Sequence, residues 1–238
     1  MLIAPIQGPW KVNCDAQASR HTVTGLASQR MVHEGAAIAP DGDLHGGLTM
    51  THITVPGHLP ANATPTGDGV VVGAGRIAVD AYIDFLCPFC RQFELSSGDA
   101  LAAMVADDLI SLMYHPMNFL DEASTTRYSS RAAAAAGCAS DGGRFPEYVR
   151  ALFVSQPPEG GAGLSDGELV ELGVSVGLPR PAFSQCVSRG NYLDWPTYVT
   201  AMATARGVRA TPSVFVNGVS VPANARLIAM AVAAAADL

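Results

Sequence analysis

Two cysteines separated by two residues, Cys87 and Cys90 in the run CPFC, are the most chemically suggestive feature of this 238-residue sequence. Such a pair can cycle between dithiol and disulfide, hold a metal or staple a turn. Spacing alone does not choose among these; position does. The apolar run RIAVDAYIDF before the pair reads as a buried strand. Cys87 then stands where a helix N-cap belongs, with Pro88 at the first helical position and Cys90 one turn further on the same face. Unpaired backbone N–H groups and the positive end of the helix dipole favour a Cys87 thiolate, lowering its pKa from ~8.5 into the range ~3.5 to 7.5. Cys90 lacks that help and is expected to be the buried resolving thiol. A stabilised thiolate favours the reduced form, so such a pair oxidises other thiols. A disulfide closing so short a loop stabilises little. Zinc needs a second Cys or His pair at similar spacing, which the three solitary cysteines do not supply. No metal and no cofactor are expected.

The elements that must hold this pair can be read outward from it. VVVGAG and RIAVDAYIDF give a short and a longer strand; a helix runs from CPFC through RQFELSSGDALAAMVADD, with a kink suggested at Ser96 to Gly98; LISLMYHPM is a buried strand ended by Pro116. About 75 helical residues follow in four pieces: STTRYSSRAAAAAGCAS, FPEYVRALFV, SDGELVELGVSVG and PAFSQCVS. Ser165 with Glu168 is a capping-box pair. A helix at about Trp195 to Arg206 leads to SVFV, and Asn217-Gly218 predicts a hairpin with VSV. The final run NARLIAMAVAAAADL is a helix with one apolar face. The layout is α/β, in the order βαβ, helical insert, αββα. Residues 1–69, rich in Pro, Gly, Thr and Ser, read as a loosely ordered extension. Within it Met50 to Val55 could form a short edge strand, and five histidines (His21, His33, His45, His52, His58) lack the spacing of helix-borne metal ligands.

CPFCRQFE at 87–94 resembles the active-site segment of the DsbA family of thioredoxin-fold oxidoreductases. GVRATPSVFVNG at 207–218 resembles the segment holding that family's cis-proline loop, and the insert and closing hairpin and helix also match. The resemblance covers about residues 70–238, with the helical insert at about 120–194. It implies a thioredoxin fold with an inserted helical subdomain, a cis Thr211-Pro212 peptide facing Cys87, and a Thr211 backbone free to pair with an extended substrate chain. Pro88 and Phe89 complete the active-site motif. There are departures. The buried acid that relatives place six residues before the first cysteine is Ala81 here, and Asp80 is expected on the opposite sheet face. Asp84, three before Cys87, is either the proton acceptor for Cys90 or a rim charge. Phe89 stands where some relatives carry histidine, and Glu94 is explained equally well as a solvated helix-face carboxylate.

Cys138 and Cys186 both fall in the insert. A bridge between them would contribute ~4 kcal/mol on a loop-entropy account, and they are expected to pair, with two buried free thiols as the alternative; Cys14 is left over. His115 reads as a strand-end packing residue, and Trp195 and Tyr198 as packing side chains. A net charge of -7 excludes a basic field for nucleic acid or anionic lipid, and no run approaches the ~18 apolar residues of a membrane span. The expected partners are unfolded, cysteine-bearing polypeptides and a redox recycling partner. A second disulfide points to an extracytoplasmic setting, whereas the opening residues lack the pattern of a signal peptide and point to the cytoplasm. Disulfide donation to substrates is the favoured reading. A thioredoxin-like reductase or isomerase, or a peptide-binding module with an idle CxxC, remains open.

Overall fold

The computed structural model describes residues 53–237. Its centre is a five-stranded sheet in the order β1-β3-β2-β4-β5, formed by β1 (Val70–Val72), β2 (Ile77–Ile83), β3 (Ile110–Pro116), β4 (Ser213–Val216) and β5 (Val219–Val221). β2 and β3 run parallel, and every other pairing is antiparallel. The parallel pair needs a crossover, which α1 (Pro88–Ala106) provides. β2 and β3 are buried because Val79, Ala81 and Ile83 alternate inward on one strand and Ile110, Leu112 and Tyr114 on the other. The β4–β5 hairpin turns at Asn217 and Gly218, with φ of 46° and 78°. Two successive positive φ values are what a two-residue hairpin matching the strand twist requires.

α1 continues unbroken through Ser96–Gly98. Those small residues serve close packing there: the Ser97 hydroxyl accepts from the Ala225 N–H at 3.2 Å, and a Cβ at Gly98 would lie 2.8 Å from the Glu94 carboxylate. The last helix, α7 (Ala225–Ala236), packs against α1 and buries Ile228 and Val232.

Between β3 and β4 lie α2 (Tyr128–Asp141), α3 (Phe145–Val154), α4 (Asp166–Ser175), α5 (Arg180–Arg189) and α6 (Trp195–Ala205). α2 touches all four others. It can do so because its side chains are mostly Ala, Ser and Gly; at Gly137 the Tyr192 ring lies 2.9 Å from where a Cβ would stand. The capping box at Ser165 and Glu168 opens α4. Cys138 and Cys186 form a disulfide between α2 and α5. The loop-entropy account puts its contribution at ~4 kcal/mol for a separation of this size.

Residues 60–69, grouped with the extension on composition, are packed against the sheet and the insert. Asp68 is 1% exposed, and Trp195 Nε1 and the Tyr198 hydroxyl donate to the carbonyls of Gly67 (2.8 Å) and Thr66 (2.6 Å). Side chains some 130 residues away thus satisfy a loop backbone that local sequence leaves open. Ile53–Val55 do not form the edge strand suggested for Met50–Val55. Residues 50–52, Cys14 and the histidines at 21, 33, 45 and 52 lie outside the described residues. Among the described residues no helix is long and apolar enough to cross a membrane, and no group of three potential metal ligands occurs.

Candidate active site

β2 ends at Ile83, and a three-residue turn, closed by the Cys87 N–H on the Asp84 carbonyl at 3.1 Å, delivers Cys87 to the start of α1. Cys87 is the N-cap, in extended conformation, and Pro88 follows. Across the site the Thr211-Pro212 peptide is cis, and the Cys87 thiol donates to the Thr211 carbonyl at 3.3 Å. Both sulfurs are free thiols, Cys87 being 5% exposed and Cys90 fully buried. Phe89, between them in sequence, is 68% exposed.

The two thiols are driven apart electrostatically. A hydrogen bond from the Cys90 thiol, then the backbone N–H groups of Cys90 and Phe89 and the Thr211 side chain, favour the Cys87 thiolate and bring its pKa down to about 6 against the opposing effect of burial. Burial pushes the Cys90 thiol well up, and the neighbouring Cys87 adds to the rise. At neutral pH one sulfur is a nucleophile and its partner holds its proton.

Asp84 is not a rim charge. It is fully buried, with Oδ1 accepting from the Leu86 N–H (2.9 Å) and the Ser129 hydroxyl (2.6 Å) and Oδ2 from the Leu120 N–H (2.9 Å). Desolvation outweighs these donors and raises its pKa to about 6. Its own backbone N–H donates to Cys90 Sγ at 3.4 Å. Glu94 departs from the solvated reading as well, being 4% exposed with the Tyr114 hydroxyl donating to it at 3.3 Å. Burial lifts it to about 7, against the Tyr114 bond and the Arg150 charge. Cys90, Phe93, Glu94, Ser97 and Leu101 form the inward stripe of α1, so the three- and four-residue spacing already pointed Glu94 inward. Ala81 is fully buried, and the neighbouring Asp80 turns to His115, 3.0 Å from Nε2. His115 is buried, stacks on Tyr82 and bonds the Asp68 carbonyl at 2.7 Å. It holds the 64–69 loop to the sheet.

Two side chains of the insert reach the active-site turn, and local sequence carried no sign of either. Ser129 lies in an Ala/Ser run whose only sequence signal is helix formation. Gln156, just beyond α3, donates through Nε2 to the carbonyls of Phe85 (2.9 Å) and Cys87 (3.0 Å) and pins the turn from outside.

The family model described as thioredoxin matches residues 67–232. The chain belongs to the thioredoxin family. Within it the chain is DsbA-like. It is similar to the reduced DsbA of Mycobacterium tuberculosis at 33% identity and a TM-score of 0.58, over 65% of this chain and 84% of that one. It is similar also to the disulfide bond oxidoreductase DsbG of the same organism, at 34% identity and 0.59, over 67% and 82%. MdbA of Actinomyces oris, a thiol-disulfide oxidoreductase 20% identical, shares the fold with a TM-score of 0.59 over 70% of this chain and 88% of that one. The serine/threonine-protein kinase PknE of Mycobacterium tuberculosis is 36% identical over 132 residues, which take in 52% of this chain. The chain spans only 23% of that kinase's length, so the likeness is to one segment of it.

Proposed function

We propose that the protein is a protein thiol-disulfide oxidoreductase that donates a Cys87–Cys90 disulfide to cysteines of unfolded polypeptides. A substrate thiolate attacks Cys87 Sγ, and the Cys87–Cys90 bond breaks. Cys90 leaves as a thiolate and takes a proton from Asp84. A second substrate thiolate then attacks the substrate sulfur of the mixed disulfide and expels Cys87 as a thiolate. The substrate loses two electrons to the cysteine pair, and a recycling partner must remove them. The observation that carries this reading is the opposite displacement of the two thiols, with Cys87 brought down to about 6 and Cys90 pushed up. A stabilised Cys87 thiolate makes Cys87 the better leaving group and favours the reduced pair, hence donation.

The Thr211 backbone, which meets the Cys87 sulfur, is the strand partner for an extended substrate, and exposed Phe89 offers it an apolar contact. Pro88 fixes the start of α1. The body that performs this chemistry takes in residues 60–69 as well as 70–238, since the Gly67 and Thr66 carbonyls are bonded by Trp195 and Tyr198. The Cys138–Cys186 bridge supports work in an oxidising compartment.

The test is transfer itself. Oxidised protein mixed with a reduced, unfolded polypeptide should lose its Cys87–Cys90 disulfide as the substrate gains one. Reduced Cys90→Ser protein should trap a mixed disulfide with a disulfide-bearing polypeptide at Cys87. Absence of any Cys87-linked adduct would overturn the proposal.

A further inference from the structure

Three donors converge on the buried Asp84 carboxylate, each from a different part of the chain: the Leu86 N–H from its own turn, the Leu120 N–H from the loop after β3, and the Ser129 hydroxyl from α2. Only Ser129 is a side chain. It is itself fully buried, and its 2.6 Å bond is the shortest of the three. The titratable groups around Asp84 are Cys87 at the N-cap of α1, Tyr128 from α2, and Cys90 from α1, whose sulfur accepts from the Asp84 backbone N–H at 3.4 Å. Among the described residues no basic side chain bonds it. The carboxylate that proton exchange needs therefore has no cationic partner, and hydrogen bonds alone stabilise its charge.

We propose that Ser129 is a positioning residue through which the helical insert governs proton exchange at Cys90: its hydroxyl fixes the Asp84 carboxylate and sets how readily it takes the Cys90 proton. Ser129 can act this way only if Asp84 is the proton partner of Cys90, as proposed above. In the closing direction Cys90 gives its proton to Asp84, and the Cys90 thiolate attacks Cys87 Sγ of the mixed disulfide. The Cys87–Cys90 bond forms as the partner's sulfur leaves as a thiolate. Removing the hydroxyl takes a charge-assisted bond from the carboxylate alone, so the protonated acid is favoured and the pH at which Asp84 becomes a base rises. Ser130, the next residue, is a built-in control. Its hydroxyl is also buried, yet it donates to Asp121 rather than to Asp84.

The experiment follows glutathione release from the Cys87–glutathione mixed disulfide. The full-length reduced protein is mixed with oxidised glutathione and then jumped to a series of pH values in a double-mixing stopped flow. The wild-type rate should rise with pH through a midpoint set by Asp84. Ser129→Ala should move that midpoint up by about one pH unit, a tenfold change in proton affinity, leaving the high-pH plateau in place. Ser129→Thr, which keeps the hydroxyl, and Ser130→Ala should both stay at the wild-type midpoint. Asp84→Asn separates the two claims. If it leaves the wild-type limb intact, Asp84 is not the partner of Cys90 and both readings fall. If it abolishes the limb while Ser129→Ala leaves the midpoint unmoved, the role of Ser129 alone is overturned. Circular dichroism of each variant excludes loss of fold as the cause of a slow rate.

Discussion

The Asp84 backbone N–H donates to the Cys90 sulfur at 3.4 Å, while the Cys90 thiol is the first stabiliser of the Cys87 thiolate. Cys90 is thereby held in place from one side and acts on its neighbour from the other. Substituting Cys90 should accordingly change Cys87 according to the donor left behind. Cys90→Ser keeps a hydroxyl donor, and its Cys87 should titrate close to 6. Cys90→Ala removes the donor, and Cys87 should titrate higher by about one unit or more. The rate of iodoacetamide alkylation against pH, read by mass spectrometry, checks both; equal midpoints would show that the thiol of Cys90 does not stabilise the thiolate.

Stability should depend on pH through the buried acids. Folding raises Asp84 to about 6 and Glu94 to about 7, above their ordinary 3.8 and 4.5. A carboxyl raised on folding contributes fully below its unfolded value, and that contribution is lost as pH rises through its folded value. The reduced form adds the opposite dependence at Cys87, lowered from 9.0 to about 6, whose contribution is lost as pH falls through 6. In the oxidised protein Cys87 does not titrate. Its unfolding free energy, measured in urea, should therefore fall between about pH 4 and 7. Glu94→Gln, which still accepts from Tyr114, should remove up to ~3 kcal/mol of that fall.

Trp195 ties α6 to the 64–69 loop through the Gly67 carbonyl. Trp195→Phe leaves that carbonyl without its donor and a gap where the indole stood. It should cost roughly 2–4 kcal/mol in denaturant unfolding. Limited proteolysis should then cut first within residues 60–69. Cleavage at wild-type rates would show that the loop does not depend on the indole.

What was legible in the sequence was local. The element order around CPFC, the hairpin at Asn217-Gly218 and the capping box at Ser165 each follow from residues a few positions apart, and each is found in the structure. The pairing of Cys138 with Cys186 followed from their common place in the insert. What was missed depends on distant chain. Asp84 could be read as a rim charge because its burial is created by Leu120 and Ser129, 36 and 45 positions away. The 60–69 loop looked loose because Trp195 and Tyr198 supply its donors. Glu94 is different: the stripe of α1 announced its burial, and only the habit of placing Glu in solvent hid it.

The central claim is a disulfide donor with an activated Cys87, and the reduction potential of the Cys87–Cys90 pair tests it most directly. Equilibration with glutathione buffers at pH 7 should give a value between about -120 and -180 mV. Repeated across pH, the potential should fall by about 59 mV per unit below pH 6, where both thiols carry protons, and by about 30 mV per unit above it, where only Cys90 does. A value near -270 mV or lower, with no break in slope near pH 6, would contradict the account and make the pair a reductant or a structural bridge.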